Sequence, residues 1–245
     1  MSGQPRFHVP QAAPGARVSL PEHSAHHARE VLRLRSGTAV RVFDGAGQEF
    51  DATLDVVTRA EVTARLAGLV AARPESPLRL VLALSPLKGD RMELVIQKAT
   101  ELGVAAIRPV VTARTDAAAR PALKGSRQER WDKVASGAAE QCGRAVVPDV
   151  APASTLAQFL AEPPDGALRL LFDETPGQPA LSTLERPVAS VVALVGPAGG
   201  WEPHEIERLQ SAGFRRVSLG PRILRAETAA IALVAALQMM WGDLG

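Results

Sequence analysis

Leu194-Val-Gly-Pro-Ala-Gly-Gly200 and Leu219-Gly-Pro-Arg-Ile-Leu-Arg-Ala-Glu-Thr-Ala229 are the stretches that decide the fold. Each places a Gly-Pro turn between a short apolar segment and a segment with the apolar spacing of a helix. Glycine lets bare backbone approach a ligand, and turns that follow parallel strands meet at one edge of a sheet. The pair therefore predicts a pocket at the carboxyl ends of two strands, built largely from backbone groups.

Neither turn carries a known phosphate-binding fingerprint. The G-x-G-x-x-G spacing is absent from Gly196-Pro-Ala-Gly-Gly200, and no Gly-Lys-Ser/Thr follows. Taken singly, each turn is more typical of a tight structural turn. Their equivalent positions after two strands favour a nucleotide-like pocket, whose ligand the residues alone leave open.

Strands alternate with helices on both sides of these turns, which predicts parallel strands joined by crossovers. The predicted strands are Leu80–Leu84, Ile107–Val111, Leu168–Phe172, Val191–Val195 and Val217–Leu219. The predicted helices are Asp90–Leu102, Gln128–Cys142, one that begins at Pro203, and Ala226–Trp241. The last helix is apolar almost all the way round, which indicates that another surface covers it and favours a homodimer.

The first third of the chain has a different pattern of apolar and turn residues. Short apolar alternations at Val40–Phe43 and Phe50–Leu54 flank a glycine-containing turn and predict a β-hairpin, and Ser24–Leu34 has the spacing of one short helix. Arg73-Pro-Glu-Ser-Pro77 is the best candidate linker. We therefore expect a small β-domain over residues 1–72 and an α/β domain over residues 73–245.

The charge is nearly balanced, since 28 basic and 26 acidic residues give a formal net charge of +2. The basic excess is confined to the first part of the chain, because residues 1–150 carry 21 basic and 16 acidic groups while residues 151–245 carry 7 and 10. A polyanion would therefore meet the first part, although ordinary solvated faces explain this charge distribution equally well.

Cysteine content and hydropathy indicate the cellular compartment of the protein. The single cysteine, Cys142, excludes an intrachain disulfide and a cysteine-rich zinc site. The N-terminus lacks the layout of a signal peptide, and the uncharged stretch Thr228–Trp241 is too short to cross a bilayer. We expect a cytoplasmic protein with no membrane association and, since no carboxylate or cysteine pattern accompanies His23, His26 and His27, no metal site.

Motifs along nearly the whole chain resemble one family. They are Arg6-Phe-His-Val-Pro10, His27 through Val31-Leu-Arg33, Phe43-Asp-Gly45, Lys88-Gly-Asp-Arg-Met-Glu93, Gln97-Lys-Ala-Thr-Glu-Leu-Gly-Val104, Glu140-Gln-Cys-Gly-Arg144, Gly196–Gly200 and Leu219–Ala229. In these the chain is similar to the RsmE family of 16S ribosomal RNA uridine-N3 methyltransferases, of the SPOUT class.

The resemblance implies an N-terminal PUA-like β-barrel that binds RNA and a C-terminal SPOUT-type α/β domain with a trefoil-knotted parallel sheet. It also implies S-adenosylmethionine as cofactor, 16S ribosomal RNA within the small ribosomal subunit as partner, and a homodimer formed through the C-terminal domain. The cofactor-binding residues would be Leu194, Gly196, Gly199, Gly200, Leu219, Gly220, Leu224 and Ala229. The family usually has Gly-Pro-Glu-Gly-Gly, so Ala198 removes a carboxylate whose role cannot be carried over.

Methylation of uracil N3 requires removal of a proton, so a base and a cation are useful. We expect Glu227 to accept the proton and Arg225 or Arg144 to hold the uracil oxygens or an adjacent phosphate. Glu227 equally suits a carboxylate in the first turn of a helix. The expected RNA contacts are Arg6, His27, Arg33, Lys88 and Arg144.

Three alternatives differ in chemistry. A non-catalytic RNA-binding protein would use the β-domain alone. A SPOUT methyltransferase could act at another RNA position, and a different nucleotide-binding α/β enzyme would place another ligand between the Gly-Pro turns. Binding of S-adenosylmethionine would distinguish a methyltransferase from a non-catalytic RNA-binding protein and from a different nucleotide-binding enzyme.

Overall fold

The computed structural model describes residues 4–119, 127–162, 167–184 and 188–245. The chain divides into two compact units. Unit 1 comprises Met1–Glu75 and Ser136–Val147, and unit 2 comprises Ser76–Ala135 and Pro148–Gly245. Residues 136–147 thus pack with unit 1, although they lie within the second of the two domains expected from the sequence.

Unit 1 is built on a five-stranded sheet that curls into a half-barrel. Its strands are β1 Arg6–His8, β2 Arg17–Ser19, β3 Ala39–Phe43, β4 Glu49–Val57 and β5 Val62–Val70, in the order β1-β3-β4-β5-β2. The predicted hairpin is confirmed, since β3 and β4 pair antiparallel with Val42 opposite Phe50. Phe7, Val42, Phe50 and Leu54 are buried in the core of this unit.

The segment predicted as one helix over Ser24–Leu34 takes two forms. An α-helix, α1, covers Glu22–His26, and a π-helix covers His27–Val31. The Leu32 amide donates to the His27 carbonyl, five residues back, so the turn contains one more residue than an α-helical turn. The single-helix prediction was wrong because apolar spacing does not report this widening.

A buried carboxylate ties residues 136–147 to the sheet of unit 1. Glu140 Oε1 accepts hydrogen bonds from the His8 amide at 2.8 Å and from Ser24 Oγ at 2.9 Å. Burial raises the pKa of Glu140 against the opposing effect of these bonds. Burial also lowers the pKa of His8, whose Nδ1 lies 2.7 Å from Ser136 Oγ.

Unit 2 contains a parallel sheet of seven strands. They are β6 Arg79–Leu84, β7 Ala106–Val111, β8 Asp149–Val150, β9 Ser154–Thr155, β10 Leu168–Phe172, β11 Ser190–Val195 and β12 Arg215–Val217. The order is β12-β10-β11-β6-β7-β8, with β9 paired to β7. The central strands β6 and β11 are apolar along their length because helices cover a parallel sheet on both faces.

The helices after α1 are α2 Arg91–Glu101, α3 Gln128–Cys142, α4 Leu156–Ala161, α5 Pro203–Ser211 and α6 Ala226–Trp241, with a 3₁₀ turn at Leu181–Thr183. Four of these helices lie close to their predicted positions, whereas α4 was not predicted. Gly103 ends α2 with φ +82°, the left-handed conformation expected of a glycine in that position. Within the described ranges, every helix falls short of the length and apolarity needed to cross a membrane.

The last strand was predicted two residues too late, at Val217–Leu219. Within the described residues, β12 pairs with β10 alone, and Val217 is opposite Phe172, the final residue of that strand. Beyond this point Ser218 bridges Ala180 instead. The strand ends where its partner ends, so Leu219 already belongs to the turn.

Candidate active site

The first Gly-Pro turn leaves β11 at the carboxyl edge of the sheet. The Gly200 amide donates to the Pro197 carbonyl at 2.9 Å, and Gly200 has φ +73°. A Cβ on Gly196 would lie 2.6 Å from Cε2 of Trp201, which is too close for any side chain. The turn therefore requires glycine for packing as well as for backbone conformation.

A second loop holds this turn from the side. Arg114, which follows β7, donates from Nε to Glu202 at 2.8 Å and from Nη1 to the Gly199 carbonyl at 3.0 Å. The buried Glu205 accepts from the Ala113 amide at 2.8 Å. These bonds join the loop after β7 to the first turn of α5 and fix the position of residues 196–200.

The second Gly-Pro turn connects β12 to α6. Gly220 has φ +78°, and the chain then passes through Leu224 to Arg225, the residue that precedes the first turn of α6. Ala229 is fully buried one turn later. This turn therefore brings the start of α6 to the same edge of the sheet.

A third loop, which the sequence did not single out, completes the edge. Asp173 follows β10, is buried, and accepts hydrogen bonds from Arg216 Nε at 2.6 Å and from Thr175. Burial opposes ionisation, but the bonds from Thr175 and Arg216 outweigh it and lower the pKa of Asp173. Asp173 is therefore a fixed negative charge beside the loop.

The two Gly-Pro stretches and the loops after β7 and β10 enclose a cavity of about 490 Å³. Apolar side chains, polar backbone and both signs of charge line it. The lining residues are Arg91, Arg114, Phe172, Asp173, Glu174, Thr175, Val195, Gly196, Pro197, Ala198, Gly200, Trp201, Ile206, Ile223, Leu224, Arg225, Ala226, Glu227 and Ala229. Its volume and mixed lining are typical of a small-molecule site.

The structure brings the two candidate catalytic residues to this cavity. The Glu227 side chain is 14% exposed and its Oε1 lies 3.6 Å from Arg91 Nε. Arg225 is exposed and lies at the same wall. A carboxylate at the cavity wall can accept a proton, and a guanidinium group at the same wall can hold a negatively charged oxygen.

Half of the predicted cofactor residues line the cavity, namely Gly196, Gly200, Leu224 and Ala229. The other four support it from behind or lie beside it. Leu194 is buried in the core under the turn, Gly199 is held by Arg114, and Leu219 and Gly220 lie earlier in the second turn than the lining residues.

Two predicted RNA contacts are turned into unit 1. Arg6 is 13% exposed, pairs with Glu49 at 2.9 Å and donates to the carbonyls of Ala139, Glu140 and Arg144. Arg144 is 11% exposed and pairs with Glu75 at 2.5 Å. Internal acceptors therefore engage both guanidinium groups, and contact of Arg6 and Arg144 with RNA stays a prediction.

The other three predicted RNA contacts are exposed. His27 lies on the π-helix, Arg33 follows it, and Lys88 precedes α2 with its Nζ 3.5 Å from Asp116. In the parts of the chain that the structure describes, no three His, Cys, Asp or Glu side chains are grouped to hold a metal ion.

Sequence reasoning missed Arg114, Trp201 and the stretch Phe172–Thr175. One signal could have found the last, since Asp173-Glu-Thr175 follows an apolar strand, as each Gly-Pro turn does. Arg114 and Trp201 reach the cavity through tertiary packing that no local pattern reports.

Comparison with known proteins agrees with this geometry. The model of an RNA methyltransferase domain matches residues 74–238, and that of an RNA methyltransferase PUA domain matches residues 20–67. Ribosomal RNA small subunit methyltransferase E of Synechocystis is 37% identical over 228 residues, which cover 90% of this chain and 72% of that protein. The Bacillus subtilis protein of the same name is 30% identical over 236 residues, 92% of each chain.

A solved structure shows the same likeness in three dimensions. Ribosomal RNA small subunit methyltransferase E from Neisseria gonorrhoeae, bound to S-adenosylmethionine, superposes with a TM-score of 0.89 at 36% identity and covers 99% of this chain and 100% of its own. The matched domains span both units, and the identities exceed what a shared fold alone requires. The chain therefore belongs to the ribosomal RNA small subunit methyltransferase E family.

Proposed function

We propose that this protein transfers a methyl group from S-adenosylmethionine to N3 of a specific uridine in 16S ribosomal RNA. One observation carries the proposal. The first Gly-Pro turn and the segment that follows the second, with Glu227 and Arg225, meet at one cavity in a chain that closely resembles a relative solved with S-adenosylmethionine bound. Methyl transfer needs no metal, and we expect none.

The residues of the cavity fit the cofactor. Gly196 and Gly200 line the cavity without a side chain, and a Cβ on Gly196 would lie 2.6 Å from the Trp201 ring, so this position requires glycine. Val195, Leu224 and Ala229 offer apolar contact to a purine. Carboxylates and guanidinium groups both occur at the wall, as an amino acid moiety with two opposite charges requires.

The bound cofactor supplies an electrophilic methyl group, and the protein supplies orientation and proton transfer. Glu227 accepts the N3 proton of uracil, and Arg225 stabilises the negative charge that develops on the uracil oxygens. Arg91, 3.6 Å from Glu227, keeps the carboxylate beside the cavity. The position of Glu227 in the first turn of α6 also favours a carboxylate, so both roles of that residue are compatible.

Residues 1–72 would serve as the RNA-binding domain and residues 73–245 as the knotted catalytic domain. His27, Arg33 and Lys88 are the exposed side chains that we assign to RNA contact. A net charge of only +2 gives weak attraction to naked RNA, which favours the small ribosomal subunit in the cytoplasm as the substrate.

We also propose a homodimer through α2 and α6. These helices pack on each other and leave Leu94 and Met239 exposed. A second copy would cover this apolar surface. Sedimentation should show a dimer for the wild type and a monomer for Met239→Glu, and a wild-type monomer at micromolar concentration would contradict this assembly.

Two experiments test the activity. Calorimetry should show that the folded protein binds S-adenosylmethionine, which a non-catalytic RNA-binding protein or another nucleotide enzyme would not do. Nucleoside analysis of 16S ribosomal RNA from cells lacking the protein should show loss of N3-methyluridine. Intact N3-methyluridine in those cells would refute the assigned position.

A further inference from the structure

The π-helix His27–Val31 ends in an unusual turn. The Leu32 amide donates to the His27 carbonyl and the Leu34 amide donates to the Ala28 carbonyl, both at 2.9 Å. This is a helix end one residue wider than the common glycine-terminated form. Single π-turns are rare and occur frequently at functional sites, so the geometry of this segment asks for an explanation.

Arg33 occupies the position in this turn that normally belongs to glycine. Its φ is +51°, in the left-handed region that strains a residue with a Cβ. Glycine would adopt the same conformation without strain. The backbone conformation of the turn therefore does not explain an arginine at position 33. A function of the guanidinium group would explain it.

The apolar residues around Arg33 face in two directions. Ala28 is buried and Leu34 packs against the core of unit 1, which fixes the turn to the sheet. Val31 and Leu32 point outward and are 60% and 40% exposed. Single exposed aliphatic residues are ordinary on protein surfaces. Two adjacent ones on a strained turn form an apolar surface that is available for binding. We call Val31, Leu32 and Arg33 the apolar tip.

Basic residues neighbour the apolar tip in sequence. Arg33 itself and Arg35 are exposed, as are the histidines His26 and His27. The nearest acidic residue, Glu30, is paired with Arg29 at 2.7 Å, so its charge is offset. An apolar contact set among cations is complementary to a nucleic acid with an accessible base, since the phosphates meet the cations and the base meets the aliphatic side chains.

We propose that the apolar tip docks on RNA by placing Val31 and Leu32 against an unstacked base while Arg33 and His27 hold the flanking phosphates. This proposal rests on the proposed function, because it makes unit 1 the part that recognises ribosomal RNA. In addition to the cationic contacts, Val31 and Leu32 would act as an aliphatic wedge against a base. Single-stranded loops and bulges, whose bases are free to splay out, are the RNA features that suit such a wedge.

The test compares Leu32→Ser with Leu69→Ser, a matched control that alters a 58% exposed aliphatic residue on β5 of the same unit. Leu32→Ser should raise the KM for small ribosomal subunits about tenfold, as expected for loss of one buried leucine contact. The kcat and the affinity for S-adenosylmethionine should stay within about twofold of wild type, and Leu69→Ser should change none of the three. Equal effects of the two variants would overturn the proposal.

Arg33→Gly separates the side chain from the turn. The variant keeps the left-handed backbone, so it should unfold at the same or a higher temperature while binding RNA more weakly, and Arg33→Lys should restore much of the binding. Direct binding to a 16S ribosomal RNA fragment, measured by anisotropy, tests the wedge even if the protein proves to methylate nothing. Weaker binding to subunits with unchanged binding to RNA would indicate a ribosomal protein as partner and would overturn the proposal.

Discussion

Arg91 Nε lies 3.6 Å from Glu227 Oε1 at the wall of the cavity, with one residue at the start of α2 and the other at the start of α6. The pair joins a motif from residues 88–93 to the second Gly-Pro stretch, which are separated by more than half of the chain. It places a carboxylate next to the space that residues of both Gly-Pro stretches line, and this juxtaposition underlies the proton transfer proposed above.

Replacing Glu227 by Gln should lower kcat by about 100-fold or more, because the amide cannot accept the N3 proton. Affinity for S-adenosylmethionine should change little, since the side chain keeps its size. Single-turnover methyl transfer and calorimetry measure the two quantities. Glu207→Gln, on the exposed face of α5, is the matched control, and turnover by Glu227→Gln at the control's rate would eliminate Glu227 as the base.

Replacing Gly196 by Ala should weaken cofactor binding by about tenfold or more, because the added methyl group would lie 2.6 Å from the Trp201 ring and displace the turn. Gly137→Ala on α3 is the control. A Cβ there meets nothing within 4 Å, and alanine should stabilise the helix by about 1 kcal/mol. Equal cofactor affinity in the two variants would show that the turn does not shape the site.

Replacing Arg216 by Met should destabilise the protein by about 3 kcal/mol, because it leaves the buried Asp173 carboxylate without its cation. The lowered pKa of Asp173 gives stability that is present above the ordinary value of 3.8 and lost as the pH falls through the folded value. Without Arg216 the folded pKa of Asp173 rises toward its ordinary value, so this loss should become smaller. Denaturant unfolding between pH 3 and pH 7 measures both effects.

Arg215→Met, an exposed substitution on the same strand, provides the reference for the Arg216 variant. It should leave the free energy of unfolding within about 0.5 kcal/mol of wild type. If the two variants unfold alike at every pH, the ion pair with Asp173 has no structural role at this loop.

Replacing Glu140 by Gln should remove the decline in the free energy of unfolding that occurs as the pH rises above about 4.5. The folded pKa of Glu140 is raised above 4.5, so the folded protein holds this proton more tightly and loses stability as the pH rises from that value through the folded pKa. Glutamine still accepts from the His8 amide and Ser24, so the variant should be at least as stable at pH 7. A wild-type-like decline in the variant would contradict this account.

The effect of His8 should remain in the Glu140 variant and has the opposite sign. The lowered pKa of His8 means that stability falls as the pH drops through 6.5 toward the folded value. His8→Gln in the same background should remove this second dependence.

Apolar runs made most of the fold predictable. Leu168–Phe172, Gln128–Cys142 and Ala226–Trp241 have the bounds predicted from the sequence, because continuous apolar stretches and helical spacing report buried strands and helices directly. The π-helix His27–Val31 and the early end of β12 were not predictable in this way. Both depend on which backbone partner is available, and that is a property of the folded chain.

The residues of the site likewise fall into those that the sequence predicted and those that it did not. The Gly-Pro turns and Glu227 were found because they lie within contiguous motifs. Arg114 was missed since its partners, Gly199 and Glu202, are distant in sequence. Arg6 and Arg144 were assigned to RNA by charge and motif, and only the folded structure shows that Glu49 and Glu75 engage them.

Methyl transfer by the purified protein tests the central claim most directly. Small ribosomal subunits from cells lacking the protein are incubated with methyl-labelled S-adenosylmethionine, and the 16S ribosomal RNA is digested to nucleosides. We predict close to one labelled methyl group per RNA, recovered as N3-methyluridine, with Glu227→Gln giving almost none. Absence of label with the folded wild-type protein, or label in a different nucleoside, would contradict the assigned activity.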